Sequence, residues 1–381
     1  MALRTLSGKH ADPQKIIKGR GAAINPEGRF ELVEREAFDD GWAHDPEDDE
    51  RALKTVVTEE NAASIISRNQ SPDVPFTQSV NPYQGCEHGC IYCYARPTHA
   101  YRNLSPGVDF ETRIFAKVNA AELLRKELSK PGYCCEVISL GANTDPYQPA
   151  ERRLNITRGV LQVCSEFNQP VGIVTKNALI ERDLDILVPM AQRRLVNVFI
   201  SVNNLDHDIA RKLEPRCVAP ARRLEAIRAL SRAGVPVGVL VAPVIPFLND
   251  DQCEAVLEAA HAAGATQAGY VMLRLPFEVK ALFRDWLERH YPLKAKHVMS
   301  RVHELRSGRD NDPNFGSRMR GQGEFAELLS KRFALAKRRI GYDMRERMLR
   351  NAALDTTLFR VPVVQEPQSL QGPEKRQMSL F

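Results

Sequence analysis

Between residues 76 and 273, short apolar, β-branched runs alternate with segments of helical period. Few folds accept that rhythm. The runs fall at 77–80, 137–140, 171–174, 197–201, 237–241 and 268–273. They are apolar throughout rather than at every second residue, which suits parallel strands covered by helices. The intervening segments carry helical stripes. Val160, Leu161, Cys164 and Phe167 share a face behind a Thr157 cap, and Leu224, Ile227 and Leu230 precede a stop at Gly234. Cys253, Val256, Leu257 and Ala260 lie between an Asn249 cap and Gly264. Six such units in series predict an α/β fold, a partial parallel (β/α)6 barrel. Its chemistry belongs at the carboxyl ends of the strands.

The rest of the chain adds extensions to that core. Residues 1–75 are expected to be an irregular N-terminal extension packing on it, with an acidic loop at 44–50. The 274–358 stretch reads as basic and mainly helical, and 359–381 as a flexible tail. The net charge of +5 hides an asymmetry. Residues 1–80 hold 10 basic and 15 acidic side chains, whereas 274–350 hold 19 basic and 10 acidic. Nothing approaches the ~20 apolar residues of a membrane span, and the start lacks an apolar export signal. A cytoplasmic chain is expected, with its eight cysteines reduced rather than paired.

Three of those cysteines stand apart. Cys86, Cys90 and Cys93 lie in Asn-Pro-Tyr-Gln-Gly-Cys-Glu-His-Gly-Cys-Ile-Tyr-Cys-Tyr, directly after the first strand. Thiolates are soft ligands for iron–sulfur clusters and for zinc. Gly85 and Gly89 allow the turns that aim the sulfurs inward. Three thiolates on a four-iron cluster leave one iron open, as a catalytic cluster needs. A structural zinc would want a fourth ligand, for which His88 and His99 are at hand. The other five cysteines, including the Cys134–Cys135 pair, read as packing residues.

The Cys-x3-Cys-x2-Cys spacing, with Tyr92 before the last cysteine and a βα series around it, resembles the radical S-adenosylmethionine superfamily. The resemblance implies a [4Fe–4S] cluster on Cys86, Cys90 and Cys93 that binds S-adenosylmethionine at its open iron. It implies reductive cleavage to a 5′-deoxyadenosyl radical, with an electron donor such as flavodoxin or ferredoxin. Over about 76–300 the chain is similar to the spore photoproduct lyase-like branch, through Ser-Leu-Gly-Ala-Asn-Thr-Asp-Pro, Ile-Val-Thr-Lys-Asn, Phe-Ile-Ser-Val-Asn-Asn and Glu-Pro-Arg-Cys-Val-Ala-Pro. The two ends resemble an uncharacterised bacterial subgroup of that branch. From this likeness Asn143, Thr144 and Asp145 are expected near the methionyl ammonium, and Lys176 opposite its carboxylate. Ser201 and Asn203 are expected at the ribose, Tyr92 near adenine with Val241 to Ile245 as an apolar wall, and Tyr94 in radical return. The photoproduct lyases carry a hydrogen-donating cysteine where this chain has Gly141-Ala142-Asn143, so their thymine-dimer route does not transfer directly.

The final residues, Gln377, Met378, Ser379, Leu380 and Phe381, resemble the pentapeptide by which bacterial polymerases and repair factors bind the DNA polymerase sliding clamp. An apolar pair closing a polar tail has no core to serve and suits a partner groove. With the basic stretch, it points to DNA as substrate, in repair or base modification. RNA or protein as the substrate is the alternative, as is a clamp-associated iron–sulfur factor without catalysis.

Overall fold

The computed structural model describes residues 17–30, 54–342 and 353–362. Among the described residues, ten strands form two sheets: β1 (Val56–Glu60), β2 (Ile66–Arg68), β3 (Gln78–Val80), β4 (Tyr83–Gln84), β5 (Arg113–Lys117), β6 (Ile138–Leu140), β7 (Val171–Thr175), β8 (Val196–Ser201), β9 (Val237–Val244) and β10 (Gln267–Met272). The large sheet has the order β10-β9-β8-β7-β6-β3-β2. All its neighbours are parallel except β2, which lies antiparallel on β3. Each of the six expected runs forms one of the parallel strands. Because spatial order follows chain order, the sheet winds in one direction, as a partial barrel does. Its first and last parallel strands, β3 and β10, are not paired among the described residues.

Helices cover the sheet because the stripes demand it. Helix α1 (Ala120–Leu128) precedes β6, α2 (Ile156–Phe167) precedes β7 and α3 (Leu184–Gln192) precedes β8. Next come α4 (Pro220–Arg232) and α5 (Cys253–Ala262). The expected faces of α2 and α5 are buried, as are Ile227 and Leu230 of α4. The expected caps differ. Asn155, in the left-handed conformation, precedes α2, and the Thr157 hydroxyl donates to the Pro146 carbonyl at 2.6 Å. The Glu151 carboxylate instead accepts from the Thr157 amide at 3.0 Å. Asn249 does not cap α5, because its amide ties the loop after β9 to the carbonyls of Asn203 and Pro243.

The extensions carry more structure than their composition suggested. Within the expected irregular segment, β1 pairs in parallel with β5 and β2 extends the main sheet. Local sequence missed them because both are short and exposed, held by ladder bonds rather than by an apolar pattern. The acidic loop 44–50 lies outside the described residues. In the basic region, α6 (Val279–His290), α7 (Pro292–Leu305) and α8 (Gly323–Ile340) pack beside the barrel. Leu329 and Phe333 of α8 are buried, whereas Leu328 and Leu335 face outward. The expected flexible tail starts at 359, yet Phe359 is packed against the core, and residues 363–381 lie outside the described residues. Phe359 packs its ring 5.3 Å from Tyr133 and 6.3 Å from Phe167, at the amino ends of β6 and β7. No helix among the described residues is long and apolar enough to cross a membrane.

Candidate active site

The cysteine loop follows β3 and β4 at the carboxyl edge of the sheet. Gly85 and Gly89 adopt φ of 77° and 67°, a region that side-chain-bearing residues avoid. From Gly85 to Cys93 the backbone folds into successive tight turns. The Gly89 amide donates to the Cys86 carbonyl at 3.3 Å, and the Cys93 amide to the Cys90 carbonyl at 3.2 Å. These turns bring the sulfurs into mutual electrostatic reach. Burial, then the neighbouring Cys90 and Cys86, push the Cys93 thiol up to about 12. Cys86 and Cys90 are buried and Cys93 is half-buried.

A fully buried guanidinium holds this loop. Arg96 donates from Nε to the Cys90 carbonyl at 2.9 Å and from Nη2 to the Gly89 carbonyl at 3.0 Å. Its Nη1 reaches the carbonyls of Pro106 and Gly107. Its charge is balanced by buried Glu111. Glu111 also accepts from the amides of Gly21 and Ala22, at 3.0 and 2.9 Å. One carboxylate thus ties the N-terminal segment to the cysteine loop. Contact there is so close that a Cβ on Gly21 would stand 1.9 Å from the Gly89 carbonyl oxygen. Gly21→Ala is therefore expected to force the two backbones apart, at a cost of about 1–3 kcal/mol or more, and to lower iron retention after anaerobic reconstitution. Wild-type stability and iron content in that variant would show that the segment does not brace the loop.

A polar wall faces the cysteines from the next strand ends. Asp145, after β6, accepts from the Thr175 hydroxyl at 2.7 Å and from the Lys176 amide at 2.8 Å. His88 Nδ1 lies 3.4 Å from Oδ2, the oxygen that accepts the Lys176 amide. Burial alone would raise the Asp145 carboxyl, but His88, Thr175 and Lys176 bring it down to about 2. Burial likewise opposes the charge on His88, yet Asp145 and Cys86 raise the imidazole well above its usual value. The other ring nitrogen, His88 Nε2, lies 3.3 Å from the Asn177 side-chain amide nitrogen. His99 Nε2 is engaged with the Arg113 carbonyl at 3.0 Å. Lys176 is raised too. Burial opposes its charge, while Cys90, Glu214, Cys217 and Asp145 favour it.

The remaining expected site residues divide. Ser201 and Asn203 are buried at the end of β8. Asn203 donates to Glu214 at 3.3 Å and accepts from the Asn204 amide at 2.8 Å. The Asn204 Oδ1 beside it is buried with no hydrogen-bond partner. The backbone amide of Asn143, a half-buried residue, donates to the Asn81 side-chain oxygen at 3.0 Å. Thr144 turns inward, its hydroxyl bonded to the Tyr83 carbonyl at 2.9 Å. Val241, Val244 and Ile245 are fully buried in the core. The buried Tyr92 hydroxyl donates to Glu214, whereas Tyr94 is 48% exposed. The Tyr94 hydroxyl donates to the carbonyl of Ala142. The tyrosine after the last cysteine is thereby tethered to the Gly141-Ala142-Asn143 stretch, which holds no thiol. Residues 377–381 lie outside the described residues.

Three residues that the sequence reading gave no site role, Glu214, Cys217 and Arg223, lie beside these side chains. Glu214 is buried between Tyr92, Asn203 and Arg223; burial would raise it, but Arg223 and Lys176 lower it below the ordinary carboxylate range. Cys217 was expected to be packing, but its sulfur lies 3.9 Å from that of Cys90. Contact with Cys217, opposed by burial and aided by Lys176, brings the Cys90 thiol down to about 7. All three sit in Glu-Pro-Arg-Cys and the helix after it, a polar cluster straight after a short helix, which was the available signal. Cys134 and Cys135 were expected to be buried; they are exposed and half-buried respectively, in the loop before β6. Cys164 and Cys253 are buried in the core as expected.

This donor set fits a multi-iron cluster. The three thiols come from one braced loop, with a cation and hydrogen-bonding groups on the facing strand ends. The unpartnered Asn204 oxygen marks a place for a donor such as a hydroxyl. Among the described residues, no three His, Cys, Asp or Glu side chains converge on a single-ion site. A single zinc would draw its ligands onto bonds of ~2.0–2.3 Å around one point, whereas a cluster takes each thiolate at a separate iron.

Comparisons with known proteins agree with this geometry. Residues 80–260 match the family model described as the radical SAM superfamily. An uncharacterized protein of Mycobacterium tuberculosis is 38% identical over 261 residues, spanning 68% of this chain and 75% of that one. One of Methanocaldococcus jannaschii is 24% identical over 216 residues, covering 56% and 76% respectively. Among solved structures, a spore photoproduct lyase mutant superposes with a TM-score of 0.55 at 14% identity, covering 78% of this chain and 84% of that one. Spore photoproduct lyase complexed with dinucleoside spore photoproduct gives 0.54 at 14%, covering 76% and 81%. With the cysteine loop, the strand order and these matches in agreement, the chain belongs to the radical S-adenosylmethionine superfamily.

Proposed function

We propose that this enzyme acts on DNA, in repair or base modification, and is recruited there by the polymerase sliding clamp. The observation that carries the chemistry is the braced three-cysteine loop facing Lys176 across the carboxyl ends of the parallel strands. Cys86, Cys90 and Cys93 would hold a [4Fe–4S] cluster, and S-adenosylmethionine bound there supplies a hydrogen-abstracting 5′-deoxyadenosyl radical. The reductive step calls for a donor such as flavodoxin or ferredoxin.

The chain's own residues then have assigned work. Lys176, held charged by its anionic neighbours, pairs with the methionyl carboxylate. Asn143 and Asp145 face the ammonium, while Thr144 positions their loop through the Tyr83 carbonyl. Ser201 and Asn203 meet the ribose hydroxyls. Tyr92 is fixed by Glu214 beside adenine. Tyr94 is the catalytic side chain for hydrogen return, standing on Ala142 where the lyases carry a thiol.

Two features support DNA. The similar fold of spore photoproduct lyase has been solved with a dinucleoside photoproduct, and the 274–350 stretch is strongly basic. Anaerobically reconstituted protein, given a strong reductant and deuterium-labelled DNA, is expected to release deuterated 5′-deoxyadenosine. Unlabelled product alongside an intact cluster would exclude DNA as the hydrogen source.

Recruitment rests on Gln377, Met378, Ser379, Leu380 and Phe381 at the end of a polar tail. Phe359 packs at the amino ends of β6 and β7, on the face opposite the cysteine loop. Deleting 377–381 is expected to abolish capture of the clamp in a pull-down; undiminished capture would refute the tail assignment.

A further inference from the structure

One arginine at the mouth of the site has no carboxylate in salt-bridge contact among the described residues. Arg274 directly follows β10 and Leu273. Its guanidinium carbon lies 5.6 Å from the centre of the Tyr94 ring. Its Nε is buried without a hydrogen-bond partner, and Nη1 reaches only the weak acceptor Met319 Sδ at 3.7 Å. Asp73, whose charge extends to Arg274, is already held by Arg318 and the Gly316 amide. A cation so placed is ready for an anionic oxygen.

Outward from Arg274 runs a row of exposed rings. Phe277, on the same loop, is 57% exposed, and its φ of 51° is unfavourable for an aromatic residue. Arg29 stacks 3.8 Å from its centre and lies 5.3 Å from that of Phe30. Phe30 lies 5.2 Å from Tyr101, which is 69% exposed. Glu278 neutralises Arg29 at 3.2 Å, so Arg29 orders the platform and Arg274 carries the free charge. Tyr101 sits in the turn immediately after the cysteine loop, so the row stays beside the site. Rings left in water, next to an unpaired guanidinium, suit unpaired bases on a phosphodiester backbone; paired bases have no free faces to stack.

We propose that this rim binds an unpaired nucleic-acid strand, with Arg274 on a backbone phosphate and Phe277, Phe30 and Tyr101 stacking bases, so that one nucleotide reaches Tyr94. The proposal rests on the nucleic-acid reading above and narrows it to single-stranded or locally opened substrate.

Fluorescence anisotropy with a labelled oligothymidylate of about 12 nucleotides, and with a duplex of equal length, tests it on the full chain. The single strand is expected to bind more tightly. Tyr101→Ala and Phe277→Ala should each weaken it by about 5- to 150-fold, the equivalent of ~1–3 kcal/mol per stacked base. Arg274→Ala should lower the slope of log affinity against log salt by about 0.7–1, and Arg274→Lys should restore it. A merely structural arginine would alter the thermal melt and leave the slope unchanged. Tighter duplex binding, or wild-type affinity and slope in all variants, would overturn the rim while leaving a nucleic-acid substrate standing. A wild-type protein that binds neither probe would defeat both. Reductive cleavage of S-adenosylmethionine without oligonucleotide reports the cofactor chemistry separately.

Discussion

Cys90→Ala is expected to reduce S-adenosylmethionine cleavage to the rate seen without protein. Cys90 is the central member of the triplet, on the turn held by the Arg96 Nε. Without its thiolate, two sulfurs remain for three irons. The fold should persist, because the change removes one buried sulfur from a large core at a cost of about 1 kcal/mol. The structure adds a control that the spacing alone would not suggest. Cys217 stands 3.9 Å from Cys90 and offers a substitute thiolate. Iron retained by Cys90→Ala should therefore disappear in the Cys90→Ala, Cys217→Ala double variant. Iron–sulfur absorbance and 5′-deoxyadenosine formation are the measurements. Wild-type cleavage in the double variant would overturn the cluster assignment.

Arg96→Met is expected to have the largest effect on stability. The guanidinium spreads donors over four carbonyls and the Glu111 carboxylate, all in a region closed to water. Methionine fills some of the volume but supplies no donors. It leaves Glu111 as an uncompensated buried charge, at a cost of about 3–5 kcal/mol. Lysine would not replace the arginine, because one ammonium cannot reach carbonyls on opposite sides of the loop. The denaturation midpoint should fall, and iron should be lost before the barrel unfolds, because the loop is what Arg96 braces. Unchanged stability together with full iron content would show that the brace is dispensable.

These two experiments probe different kinds of information. The cysteine triplet could be found in the sequence because its ligands lie within eight consecutive positions. Local spacing alone confines the sulfurs. The six parallel strands were equally visible, since a strand buried on both faces must be apolar at every position. Lys176, Ser201 and Asn203 do stand at the carboxyl ends of β7 and β8 as the strand pattern implied, while their cofactor roles came from the family resemblance. The brace could not be read in this way. Gly21, Arg96 and Glu111 meet across as many as 90 positions, and none carries a local pattern. Cys217 looked like an isolated core residue until the fold set it against Cys90. Cys134 and Cys135 looked apolar, yet they precede their strand rather than entering it, and so remain outside the core. The caps failed similarly: Asn249 was drawn away from α5 by two carbonyls contributed by other strand ends.

The sequence by itself determined the barrel, the thiol triplet and the charge asymmetry, because each is written in local period, spacing or composition. Tertiary structure decided what surrounds the triplet: the Glu111 tie to the N-terminal segment, the Glu214 link to Tyr92, the Tyr94 contact with Ala142 and the unpaired Arg274. Those arrangements depend on the register at which distant strand ends and loops meet. Register is fixed by packing the whole core, and no short stretch of sequence encodes it.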